Sequence, residues 1–166
     1  MNIYLLQWGL FIFMIGLVLS LPLAAVHYQH NPKVRKVFIK PAKLRSAHTD
    51  YFMQAFSLGL IYLIETAINQ ELSPLLMVLL IYGTFMNPTI LLLEATPFVL
   101  SSVGRILYGL FRATSPLSLL IVWFAISTQF LPLWMSGLIG VLFVGTGAWL
   151  LIINKNKEVE NHIEHN

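Results

Sequence analysis

Residues 1–32 and residues 113–154 contain no Asp, Glu, Lys or Arg, and residues 72–93 are likewise uncharged. Runs of this length constrain the fold before any motif does. In lipid every backbone N–H and C=O has to find its partner within the chain, so such runs fold as helices. About 20 apolar residues cross a hydrocarbon core of ~30 Å. The composition agrees, with 57% hydrophobic and 10% charged residues, where a soluble domain carries roughly 25% charged. A soluble domain of 166 residues exposes too much surface to hide that apolar content. A soluble enzyme and a disordered chain are therefore excluded. The absence of cysteine removes disulfides, thiolate metal sites and cysteine nucleophiles.

The expected fold class is an all-α integral membrane bundle of four transmembrane helices with an additional interfacial or re-entrant segment. Residues 3–26, 50–68, 72–93 and 133–153 read as the spans. Residues 94–112 contain Arg105 and Arg112 among small and aromatic residues and read as the interfacial segment. The 42 uncharged residues 113–154 would extend about 63 Å as one helix, twice the membrane core, and Pro132 breaks the run. A fifth span over residues 117–131 is the alternative. Residues 1–154 form the membrane domain and residues 155–166 a short polar tail.

Six of the ten Lys and Arg fall within residues 33–45, between the first two spans. Anionic lipid head groups are the expected partners of that segment, and nucleic acid is not. The positive-inside rule places it in the cytoplasm and the N-terminus outside; a bacterial inner membrane is the expected location.

At 100° per residue, Tyr51, Gln54, Leu58, Tyr62 and Glu65 share one face of the second span. His48 precedes them on a similar bearing, while Phe52, Phe56, Leu60 and Leu63 face away, toward lipid. Polar groups at membrane depth have either a task or a packing partner. For Glu65 the expectation is snorkelling to the outer surface. For His48, Tyr51 and Gln54 both readings stand: helix glue, or a site for a small amphiphilic molecule. The third span contributes Tyr82, Gly83 and the pair Asn87-Pro88, where Pro88 disturbs the helix and Asn87 needs partners. Glu94 is placed to pair with Arg105 or Arg112. His27, His30 and His48 share one membrane face and form a candidate metal set. No Walker-type phosphate loop, dinucleotide fingerprint or His-Glu-x-x-His pair is present.

Two stretches, residues 31–60 and 82–92, resemble the styrene-oxide isomerase and hydroxylaminobenzene mutase group of small four-helix membrane proteins. The first has a basic loop, then Arg45-Ser46-Ala47-His48, then an amide six residues after the histidine, here Gln54 in place of the isomerase's Asn. The second resembles a Gly-x-Phe-x-Pro-Asn stretch and reads Gly83-Thr84-Phe85-Met86-Asn87-Pro88, with the last two inverted. The resemblance implies heme b held by His48 as axial and metal ligand, with Tyr51 at the cofactor. It implies a homo-oligomer, a trimer with heme between subunits. Gln54, Tyr82 and Asn87 become catalytic candidates that orient a small apolar substrate. The implied reaction is isomerisation of an epoxide to an aldehyde by Lewis-acid ring opening. The longer Gln54 side chain implies a substrate that differs from the isomerase's. The competing expectations are a non-enzymatic membrane accessory or assembly protein and, third, a transport component, for which no repeat between residues 1–69 and 70–154 is evident.

Overall fold

A computed structural model of the chain describes residues 2–164. Its order is α1 (Ile3–His27), α2 (Pro32–Val37), α3 (Pro41–Ile68), α4 (Pro74–Ala95), a 3₁₀ turn (Pro97–Leu100), α5 (Ser102–Phe130) and α6 (Leu133–Glu164). Among the described residues there are no strands. The helices α1, α3, α4 and α5 are each long and apolar enough to cross a membrane. The chain is an all-α integral membrane bundle. It divides into two units at Val122 and Trp123.

In the first unit the helices alternate in direction. At one end, Asn2 of α1's cap meets Glu65 near the end of α3. At the other, Arg45 of α3 meets His27 at the end of α1. The α1–α3 seam is built from small residues seven apart. A Cβ on Gly9 would lie 3.3 Å from the Ala55 carbonyl, and one on Gly16 3.0 Å from the Phe52 ring. Small residues let membrane helices approach closely where no hydrophobic effect drives them together. Leu5 and Ile12 of α1 and Leu44, Ala47, Leu58 and Ile61 of α3 are fully buried, and Leu58 Cβ packs beside Gly9.

Asn69, in the left-handed conformation at φ 56°, stops α3, as asparagine tolerates that geometry. The Ser73 side chain then caps α4 by accepting from the Leu76 N–H, with Pro74 in the first turn. The tight turn expected at residues 69–73 therefore reverses the chain, and α4 runs back along α3. Where the sequence places the start of the second span at residue 50, α3 begins at Pro41. Lys43 and Arg45 sit on that first helical part. Part of the basic loop is α2, capped by the Asn31 side chain.

The helix α5 covers residues 117–130 of the alternative fifth span, 117–131, and is long and apolar enough to cross a membrane, while the expected residues 133–153 lie within α6. Residues 94–112 do not form a separate interfacial segment; their second half opens α5. Arg105 and Arg112 lie in its first turns. Arg112 sits 6.0 Å from the centroid of the Tyr108 ring, and long basic side chains reach the interface from within a helix. Pro116 sits inside α5 without ending it. Side-chain donors secure that stretch to α4: Ser115 Oγ donates to the Gly83 carbonyl at 3.2 Å.

Gly83 sets the α4–α5 spacing. A Cβ there would stand 2.6 Å from Leu119 Cγ and 2.7 Å from Ser118 Oγ. Gly83→Ala should therefore cost about 1–3 kcal/mol through overpacking. Gly109→Ala, whose Cβ meets nothing, should not destabilise. Thermal unfolding of the two variants in the same detergent checks this.

In the second unit α5 ends at Phe130 and α6 starts at Leu133, so Pro132 breaks the run as expected. Ser136 Oγ donates to the Ser127 carbonyl at 2.9 Å across that turn. The apolar part of α6 is Leu133–Trp149, and its backbone stays helical to Glu164, past the point where the sequence turns polar.

Candidate functional site

The polar groups of α3 divide between its two neighbours. His48 turns to α1: its Nδ1 lies 2.9 Å from the Gly16 carbonyl. A carbonyl only accepts, so Nδ1 carries the proton. The neutral ring then has a lone pair on Nε2, the form a metal-ligating histidine takes. The His48 ring packs edge-on against Phe52 at 4.9 Å, and Phe52 against Phe13 at 5.1 Å. This flank is half-buried and aromatic.

On the opposite flank, Asp50 holds two amides. Asn87 Nδ2 of α4 donates to its Oδ2 at 2.9 Å, and Gln54 Nε2 donates to its Oδ1 at 3.2 Å. Gln54 and Asn87, both singled out from the sequence, are thus brought together by a third residue that the sequence reading passed over. The signal was a carboxylate with an amide four residues on, one helical turn later.

His48 and Gln54 are not brought together within one chain. Six residues apart, they point roughly 120° away from each other around α3. The similar bearing expected for His48 and the stripe is corrected accordingly, since His48 leans to the α1 side. Tyr51, only 2% exposed, bonds Thr89 Oγ1 at 2.8 Å. Thr89 uses its own hydrogen on the Phe85 carbonyl, so Tyr51 is the donor. Tyr82 bonds Thr114 of α5 at 2.5 Å, roughly 140° around α4 from Asn87. It also lines an apolar groove of about 500 Å³ with Tyr4, Trp8 and Phe85.

Glu65 does not snorkel. It is fully buried and accepts from Asn2 N (3.1 Å), Asn2 Nδ2 (2.9 Å) and Leu72 N (2.8 Å). Glu94 pairs with Lys43 at 2.5 Å and accepts from Tyr108, in place of the expected Arg105 or Arg112. The α3–α4 register brings Lys43 to it first. Among the described residues no three His, Asp or Glu side chains converge on a metal position, and His27 is bonded by Arg45. Buried side-chain nitrogens and oxygens among these residues all have hydrogen-bond partners.

No protein-family model, curated protein or solved structure matches the chain.

Proposed function

We propose that this membrane protein binds heme b through His48 and isomerises small apolar epoxides. The observation that carries the reading is the His48 hydrogen bond to Gly16. It fixes the tautomer and aims one ring nitrogen, Nε2, away from the helix seam. His48 would hold the heme, and a heme bound there would supply a Lewis acid for the epoxide oxygen. The other roles belong to the chain. Phe13, Phe52 and Phe56 give the His48 flank an apolar wall. Gln54 and Asn87, anchored by Asp50, each keep one amide oxygen and one N–H to orient a substrate. Conversion of an epoxide to an aldehyde is an internal hydride shift, so no atoms or electrons are added.

Because His48 and the amide pair occupy opposite flanks of α3, a site that uses both takes them from two copies. The homo-oligomer, a trimer by resemblance, meets that need. Membranes containing the chain should convert an aryl epoxide to the aldehyde. Gln54→Ala should retain heme and lose turnover by about a hundredfold, the scale expected when a positioning group is misplaced by an ångström. Equal turnover in membranes lacking the chain would remove the enzymatic reading.

A second reading, a non-enzymatic accessory or assembly protein, draws on Tyr51 and Glu65. Both are fully engaged in holding helices together, as packing glue would be. Such a protein purifies colourless.

For orientation we take the end carrying α2, Lys43 and Arg45 as cytoplasmic and the N-terminus as outside, in a bacterial inner membrane, with anionic lipid around the basic segment. Ser46 is exposed at that end and the chain has no native cysteine. Ser46→Cys should resist a membrane-impermeant thiol reagent in intact cells and react after lysis. Ready labelling in intact cells would invert the topology.

A further inference from the structure

The basic end of the bundle carries cations that its own carboxylates do not match. No Asp or Glu precedes residue 50. Glu65 and Glu71 belong to the opposite end, around the α3–α4 turn. At the basic end Asp50 is engaged by two amides. Glu94 pairs with Lys43 and lies in the field of Lys40. Lys33, Arg35, Lys36 and Arg45 meet no carboxylate among the described residues of the first unit. Arg45 instead lies 3.0 Å from His27 Nε2, an imidazole that accepts and brings no negative charge. Its contacts run through Nη2 alone, so the donors on Nε and Nη1 are open to an anion. The Arg45 side chain is exposed.

Helix α2 lies between the end of α1 and the start of α3, at the boundary that both spans cross. At 100° per residue, Val34 and Val37 share one side of it and Arg35 and Lys36 the other. Val37 is 53% exposed, Ile39 44% and Tyr28 86%. A helix of this pattern lies in the interface, with its apolar side toward the acyl chains and its cations among the head groups. The elbow is held in place from both ends. The Asn31 side chain accepts from Lys33 N at 3.0 Å, and Lys40 N donates to the Ala95 carbonyl at the end of α4 at 3.2 Å. Donors fixed in this way lose less freedom when a ligand arrives.

We propose that the α2–α3 elbow binds one anionic phospholipid, with its phosphate on the open donors of Arg45 and its charge met by Lys33, Arg35 and Lys36. The charge is complementary, and phosphate suits a guanidinium. The exposed Val37, Ile39 and Tyr28 beside the cations select a lipid over a soluble polyanion, which would leave them in water. The inference rests on reading the basic segment as facing anionic lipid and adds a defined site to it. It needs neither the heme nor a choice of membrane side.

Native mass spectrometry of the full chain, released from micelles carrying phosphatidylglycerol or phosphatidylcholine, tests this. The wild type should retain one phosphatidylglycerol and bind it more tightly than phosphatidylcholine. Arg45→Gln should weaken that binding by about fivefold, the scale of one cation at an anionic surface, and the pair Arg35→Gln/Lys36→Gln by more. The pair Lys155→Gln/Lys157→Gln removes as much charge from the polar tail and should leave binding unchanged. Arg35 and Lys36 are exposed, so their double variant carries the test where Arg45→Gln does not fold. Equal weakening by the elbow pair and the tail pair would overturn the site and leave a general attraction to anionic lipid. A wild type without preference for phosphatidylglycerol would overturn the site together with the reading it rests on. Displacement of the lipid by inorganic phosphate at equal concentration would show that phosphate alone is recognised, and would overturn a lipid site.

Discussion

His48→Ala abolishes the Soret band of protein produced with heme supplied, while the chain still inserts and purifies. The two halves of this expectation have separate causes. On the proposed reading heme retention depends on one nitrogen, Nε2, because Nδ1 is held by the Gly16 carbonyl. Alanine offers no ligand. Insertion depends on apolar length, and the α3 seam depends on Leu44, Ala47, Tyr51, Ala55, Leu58 and Ile61, all buried. The variant gives up one hydrogen bond to a helical carbonyl, about 1 kcal/mol. A variant that keeps the band would assign the ligand elsewhere. A variant that fails to insert would make His48 structural.

Glu65→Leu should be the most destabilising single substitution at the opposite end of the bundle. Glu65 accepts three N–H groups, two from Asn2 and one from Leu72. It thereby ties the start of α1 to the α3–α4 turn. Leucine fills the volume and leaves the Leu72 N–H, on a residue only 3% exposed, without a partner. Stranded buried donors cost about 1–3 kcal/mol each, so a loss of roughly 3 kcal/mol is expected. Glu65→Gln retains one acceptor oxygen and should lose less. Thermal unfolding in detergent compares the three proteins. Equal stability for Glu65→Leu would show that this buried cluster holds nothing together.

The helices were legible because apolar length and the 100° period act locally. Residues 1–32 and 72–93 could become little else, and Tyr51, Leu58 and Glu65 do lie on the buried face that their spacing marks. A span over α5 stands only as the alternative in the sequence, for a physical reason. Arg105 and Arg112 were read as ending hydrophobicity, yet long side chains in the first turns of a helix reach back to the interface. Pro116, for its part, is carried within α5, and donors such as Ser115 pin that stretch to α4.

Partner choice was less legible, because it depends on register between helices. Glu94 meets Lys43, 51 residues earlier in the chain, and no spacing rule links them. Asp50 was hidden by the assumed helix start. Read as the first residue of a span, it is an interfacial charge; with the start at Pro41 it lies more than two turns inside. Gln54 and Asn87 were selected as polar residues at depth, and their convergence on one carboxylate emerges only once α4 packs on α3. His48 was found through its setting in a short motif, but its turn toward Gly16 was not, since that depends on the close approach of α1.

The absorption spectrum of the wild-type chain tests most directly whether His48 holds a heme. Protein produced with heme supplied and purified in detergent should be red, with a Soret band that survives gel filtration and shifts when the iron is reduced. Colourless protein under those conditions, correctly inserted and stable, would show that His48 holds no heme and would leave a protein whose polar groups only pack helices.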